Sequence, residues 1–151
     1  MSIELFSERL KLIPCSDEAF ATHSDKDYEL GPHIEMHLEE LKEDPSVFEW
    51  GVWFVIDKQT NKIIGDMGFK GKPDEENSVE VGYGIKASEQ NKGYATEALT
   101  CLIEWALHSH SVDKIVAECL EDNIPSIKVL EKLNMTKTGK VNDMLYWQLD
   151  K

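Results

Sequence analysis

Residues 78–120 change their periodicity twice. "SVEVGYGI" alternates, with Val79, Val81, Tyr83 and Ile85 on one side and Glu80, Gly82 and Gly84 on the other. That is the pattern of a strand. "GYATEALTCLIEWALH" then places Ala95, Ala98, Leu99, Leu102, Trp105 and Ala106 at helical spacing, which predicts a helix of about four turns. "VDKIVAECL" returns to strand. A strand–helix–strand unit of this length reads as a crossover between two parallel strands.

The flanks are different. "ERLKLIP" alternates and ends at Pro14, a first strand, and Ser16 or Asp17 caps a helix. Residues 16–44 read as helical with a break near "LGPH"; Gly31-Pro32 opens the second helix, with Ile34, Leu38 and Leu41 on one face. "GVWFVID", the turn "QTNK" and "KIIGDMGFK" form a hairpin. After the crossover, "NIPSIKVLEKL" is a helix with Pro125 in its first turn, and "MTKTGK" and "MLYWQLD" close the chain as a hairpin. Hairpins plus one crossover predict an α/β (α+β) fold in a single domain over 1–151, with helices on a mixed sheet.

Composition removes several classes of function. The net charge of −13 repels phosphate backbones, so no nucleic acid is expected as partner. Such a surface attracts cations, although a charge excess reads first as a solvated face. No apolar run approaches the ~20 residues of a membrane span, and "MSIELFSERLKL" lacks the pattern of a signal peptide. Cys15, Cys101 and Cys119 are odd in number and widely spaced, which fits a reducing, cytoplasmic setting rather than a disulfide framework or zinc cluster.

The turn "KASEQNKGYATEA" places Gln90, Asn91, Lys92 and Gly93 at the mouth of the long helix. A helix N-terminus offers unpaired N–H groups and partial positive charge, a ready anion site. Gly93 permits close backbone approach, Lys92 adds a cation and Thr96 a hydroxyl. The natural guest is a phosphate or pyrophosphate, although neither GxxxxGK[ST] nor GxGxxG is present. Gly82 and Gly84 weaken their strand unless a ligand or backbone must come close. Downstream, Asn123 and Ser126 stand where the next strand meets the next helix.

Gln90–Ala95 matches Q/R-x-x-G-x-G/A, the acetyl-coenzyme A signature of the GNAT superfamily of N-acetyltransferases. "VEVGYGI…GYATEAL", "DNIPSIKVLEKLNM", "SERLKLIP" and "GDMGFKG" resemble its RimJ/RimL-type, ribosomal-protein-modifying branch, over nearly the whole chain. The resemblance implies a mostly antiparallel sheet of about seven strands with helices on both faces. It also implies a strand that splays from its neighbour to admit the pantetheine arm. Ile85 would pair with that arm and turn its N–H toward the thioester oxygen. Gln90, Asn91, Lys92, Gly93, Tyr94, Ala95 and Thr96 would hold the pyrophosphate, and Asn123 the pantetheine.

The implied reaction moves an acetyl group directly from acetyl-coenzyme A to a primary amine. The acceptor would be a protein N-terminus or a small molecule such as a polyamine, and no metal is implied. Residues 16–48 would form much of the acceptor side, where "SDKDYE" and "EELKED" suit a cation. An ammonium must lose a proton before it attacks, so a carboxylate is needed. Glu80 is one candidate base. Glu118 is the other, at the position of the base in a related ribosomal-protein enzyme.

Two positions depart from the family pattern. Leu130 stands where a tyrosine often protonates the leaving thiolate, which leaves that role to Ser126, water, Tyr94 or Tyr146. Asn134 replaces a usual glycine, and asparagine tolerates the left-handed turn of a helix end. The alternative function is a non-catalytic acyl-coenzyme A-binding or sensing domain. Members of the superfamily often dimerise, so a homodimer is open to this chain.

Other features have structural readings. His33, His37 and Glu40 could face a metal, but HExxH is absent, since the sequence reads "HIEMH". His108 and His110 suit a helix C-terminus, Cys101 and Cys119 suit packing, and Trp50, Trp53 and Phe54 suit the core or a pocket wall.

Overall fold

A computed structural model of the chain describes residues 3–23, 32–85, 92–109 and 112–151. Among them, eight strands form one sheet in the order β1-β2-β3-β4-β5-β6-β8-β7. The strands are β1 (Leu5–Phe6), β2 (Leu10–Pro14), β3 (Val52–Asp57), β4 (Lys62–Phe69), β5 (Ser78–Ile85), β6 (Lys114–Leu120), β7 (Thr136–Val141) and β8 (Met144–Asp150). The helices are α1 (Asp17–His23), α2 (Pro32–Glu43), α3 (Tyr94–Ser109) and α4 (Ile124–Lys132). Every neighbouring pair of strands is antiparallel except β5–β6.

Local chemistry sets the boundaries. Ser16 Oγ accepts the Ala19 N–H at 3.0 Å and caps α1. Asn142 (φ 55°) turns the β7–β8 hairpin. Asn134 takes φ 65° after α4, and the Met135 N–H reaches back to the Leu130 carbonyl at 3.1 Å, a Schellman closure. The expected tolerance of asparagine there is what the chain uses.

Two elements differ from the sequence reading. The strand count is eight rather than about seven, because Leu5–Phe6 folds back onto β2 through a turn in which the Ser7 N–H donates to the Leu10 carbonyl at 2.9 Å. Two residues are too few to show a period. Pro45–Trp50 forms a short 3-10 helix, capped by Asp44 accepting from the Ser46 N–H at 3.1 Å.

Helices cover both faces of the sheet. On one face α3 and α4 set Leu99, Leu102 and Leu130, all fully buried, against Leu10, Leu12, Trp53 and Ile115. Trp105 joins Trp53 at a ring-centroid distance of 5.1 Å and Trp50 at 5.3 Å; each such aromatic pair adds about 0.5–1.5 kcal/mol beyond area burial. On the other face Ile34 of α2 and Ala19 of α1 pack on Phe54, Ile56 and Ile63. Alternation along β3 feeds both cores.

Candidate active site

The two strands of the parallel pair part early. The β5–β6 ladder runs only Ser78↔Lys114, Val79↔Ile115 and Glu80↔Val116. Beyond that point β5 stays with β4 as far as Ile85↔Gly65, while β6 stays with β8 as far as Leu120↔Met144. Each arm is held by its outer neighbour, so the two diverge from a vertex at Glu80. Gly93 at the start of α3 and Asn123 at the start of α4 lie beyond the arms.

Gly93, just before α3, has φ +81°, a conformation that other residues adopt only with strain. A Cβ built there would lie 3.5 Å from Arg9 Nη2, so a guanidinium stands beside the turn. Arg9 also lies over the Tyr94 ring, 4.4 Å from its centroid. Glu97, in the first turn of α3, fixes that arrangement. It accepts hydrogen bonds from the Ser7 hydroxyl, the Arg9 N–H at 2.9 Å and Arg9 Nε at 2.7 Å. Burial alone would raise the Glu97 carboxyl, but these donors outweigh it and hold it below the ordinary carboxylate range. The Arg9 contribution was missed at the sequence level, because residues 88 apart join only when β2 lies beside α3.

Asn123 caps α4, its side-chain oxygen accepting the Ser126 N–H at 3.3 Å. The carboxamide's donor end is then what it offers a ligand. Leu130, at the position where the resemblance expects a tyrosine, is fully buried in the core. A phenol reaches the cleft from the opposite arm instead. Tyr83 Oη donates to the Ser126 carbonyl over 3.4 Å, spanning β5 to α4. Burial pushes the Tyr83 phenol up, so it keeps its proton at neutral pH. Alternation along β5 placed Tyr83 on the core side, which hid its reach across the cleft.

The opposite face carries the charged groups. Lys70 Nζ lies 2.9 Å from Glu80 Oε2 and 3.9 Å from Glu118 Oε1, so both candidate bases converge on one ammonium. Lys70 also lies across Gly82, where an added Cβ would meet its Cε at 3.5 Å. Tyr146 stands directly opposite Glu118 on β8 and is exposed.

Next to Lys70, a cavity of about 610 Å³ opens between α2 and strands β4 and β5. Gly68, Gly82 and Gly84 form part of its floor, Trp50 and Phe69 a wall, and His33, His37, Glu40 and Asp66 its polar lining. His33 Nε2 meets Asp66 Oδ1 at 2.8 Å. A larger groove of about 860 Å³ between α4 and the β7–β8 hairpin holds none of the candidate site residues. Among the described residues, no three His, Cys, Asp or Glu side chains are grouped to hold a metal, and no helix is long and apolar enough to cross a membrane.

The model of the acetyltransferase (GNAT) domain family matches residues 9–136. The chain belongs to this family. A curated relative, the uncharacterized N-acetyltransferase YjdG of Bacillus subtilis (strain 168), is 39% identical over 95 residues, 63% of this chain and 56% of that protein. The chain spans about half the length of the curated relatives it matches. Among solved structures, the ribosomal-protein-S5-alanine acetyltransferase of Vibrio fischeri superposes with a TM-score of 0.79 at 18% identity, covering 98% of this chain and 96% of that one. The ribosomal L7/L12 alpha-N-protein acetyltransferase RimL in complex with coenzyme A superposes with a TM-score of 0.75 at 15% identity, covering 95% of each. At such identities the likeness is one of fold.

Within the GNAT frame, the candidate residues fall into two groups. Ile85, Lys92, Gly93, Tyr94, Ala95, Thr96, Asn123 and Ser126 lie at the ends of the diverging arms and the helix starts beyond them. Glu80 and Glu118 lie on the α2-facing side of the sheet, held by Lys70. Gln90 and Asn91 lie outside the described residues, as does "SDKDYE".

Proposed function

We propose that this chain is an N-acetyltransferase that moves an acetyl group from acetyl-coenzyme A to a primary amine. The parting of β5 from β6 after Glu80 carries the reading. A strand that leaves its partner gives up ladder hydrogen bonds, and an extended amide-bearing chain such as pantetheine can replace them. Gly93 and the start of α3 suit the pyrophosphate, with Lys92 and Arg9 supplying positive charge beside it.

The cofactor enters on one side of the splayed strands and the amine on the other, from the α2 cavity. The nitrogen lone pair attacks the thioester carbonyl, the C–N bond forms, and the C–S bond breaks with its electron pair leaving on sulfur. The proton lost by the ammonium passes through water to Glu80, at the vertex; Glu118, farther along the diverging arm, stands second. Tyr83 donates its proton to the departing thiolate, replacing the missing α4 tyrosine, and its phenolate takes back the second proton that the nitrogen sheds as the amide forms. An oxyanion on the thioester carbon is met by backbone N–H groups along the diverging arm of β5.

Release of free thiol in the presence of acetyl-coenzyme A and a panel of primary amines tests the reading. Amine-dependent thiol release supports it. Tight cofactor binding with no thiol release against any amine, protein N-termini included, would instead leave the acyl-coenzyme A-binding alternative.

A further inference from the structure

His37 is set into the wall of the α2 cavity in a way that packing alone does not require. The residue is 6% exposed, and Nε2 is buried without a hydrogen-bond partner among the described residues. A buried ring nitrogen in that state is unfavourable unless something supplies the bond. The backbone is cut away to seat the ring. A Cβ on Gly51 would stand 2.0 Å from His37 Cε1, and a Cβ on Gly68 would stand 1.9 Å from the Gly51 carbonyl oxygen. Two glycines thus let the backbone just before β3 and that of β4 come close beneath the imidazole, in a cavity that also reaches Gly82 and Gly84 of the splayed strand.

The other polar groups around the cavity are already engaged or differently charged. Asp66 is taken by His33 at 2.8 Å, and Lys70 by Glu80 at 2.9 Å. Neither Glu80 nor Glu118 lines the cavity; Lys70 stands at that end. Burial lowers the His37 imidazole against the smaller opposing pull of Glu40, so the ring is neutral at neutral pH and has a lone pair to give. The rest of the lining is apolar: Met36, Val47 and Trp50, with Met67 and Phe69, whose side chains are themselves packed in the core against α3.

We propose that His37 Nε2 accepts the hydrogen bond of the acceptor's amine and that the cavity selects amines with one charge and an apolar body over polyamines. The inference rests on the acetyltransferase reading and names its substrate class. A single ammonium finds Nε2 and the carboxylate of Glu40. Each further ammonium of a polyamine would have to leave water for a largely apolar lining in which Asp66 is already paired with His33.

The test compares 2-phenylethylamine with spermidine, in wild type and in His37→Phe, which keeps a ring in the seat but removes the nitrogens. Thiol release with 2-phenylethylamine should exceed that with spermidine by at least about tenfold in kcat/KM. His37→Phe should raise the KM for 2-phenylethylamine about 10- to 100-fold and leave the KM for acetyl-coenzyme A unchanged. In case His37→Phe does not fold, the imidazole signals of wild type bound to coenzyme A are followed by NMR as 2-phenylethylamine is added; the His37 ring resonances should move. A preference for spermidine, an unaltered KM in folded His37→Phe, or a stationary His37 signal at millimolar amine overturns the inference and leaves the acetyltransferase reading standing. Absence of both cofactor binding and thiol release would instead remove that reading, and this inference with it.

Discussion

The ammonium of Lys70 lies 2.9 Å from a carboxylate oxygen of Glu80, at the last rung before β5 and β6 part. The ion pair fixes the direction of a carboxylate that alternation alone leaves on an open strand face. Glu80→Gln is expected to lower kcat by about 100-fold, the scale of a lost general base, with little change in acetyl-coenzyme A affinity. Glu118→Gln, whose oxygen is 3.9 Å from the same ammonium, is expected to cost less than Glu80→Gln. Steady-state rates across the pH range check both; full rates in both variants would remove the two glutamates as bases.

Tyr83→Phe removes the hydroxyl that reaches the Ser126 carbonyl and leaves the ring in place. If Tyr83 protonates the leaving thiolate, kcat falls by about 100-fold while the dissociation constant of coenzyme A hardly moves. Single-turnover rates and calorimetric binding measured side by side distinguish this from a packing effect, which would alter both.

Acid should loosen the protein in two windows. The His37 imidazole is lowered by burial from its ordinary value of 6.5. Nothing is lost above 6.5, where folded and unfolded states are both neutral. Below it the unfolded chain takes up the proton first, and stability falls until the pH reaches the lowered folded value. Glu97 is depressed, so its contribution is complete above the ordinary carboxylate range and is lost as pH falls through the folded value. Urea midpoints from pH 8 to pH 3 should show both falls. Glu97→Ala should cost about 1 kcal/mol at pH 7, for hydrogen bonds that are only partly buried, and should flatten the lower window.

Gly93→Ala places a side chain at φ +81°, which costs about 1–2 kcal/mol of stability. The same Cβ would crowd the turn proposed to hold the pyrophosphate. The folded variant is expected to bind acetyl-coenzyme A more weakly while its affinity for acetyl-pantetheine, which lacks the pyrophosphate, stays near wild type. Equal affinity of wild type and variant for acetyl-coenzyme A would remove the cradle assignment.

Much of this arrangement was legible in the sequence because its signals are local. Two changes of period located the crossover, and Gly93 falls at a positive φ that glycine adopts without strain, whereas a Cβ at Gly84 would meet nothing within 4 Å. The need for a left-handed residue at Asn134 could be read from the end of the "EKL" helix. What was not legible depends on contacts between distant residues. Arg9 reaches Glu97 only once β2 lies beside α3. Tyr83 reaches Ser126 only because the arms diverge and α4 begins above them. His37 looked like half of an HxxxH pair, yet the decisive fact is Gly51, fourteen residues on in the sequence, which makes room for its ring.

The melting temperature with and without saturating acetyl-coenzyme A tests the central claim most directly. At about 100 times the dissociation constant, binding adds roughly 2.7 kcal/mol to the native state. For a chain of this size that predicts a rise of roughly 5–10 °C, absent with adenosine alone. No rise at millimolar acetyl-coenzyme A would mean that the opening between β5 and β6 holds no cofactor, and the acetyltransferase account would be contradicted.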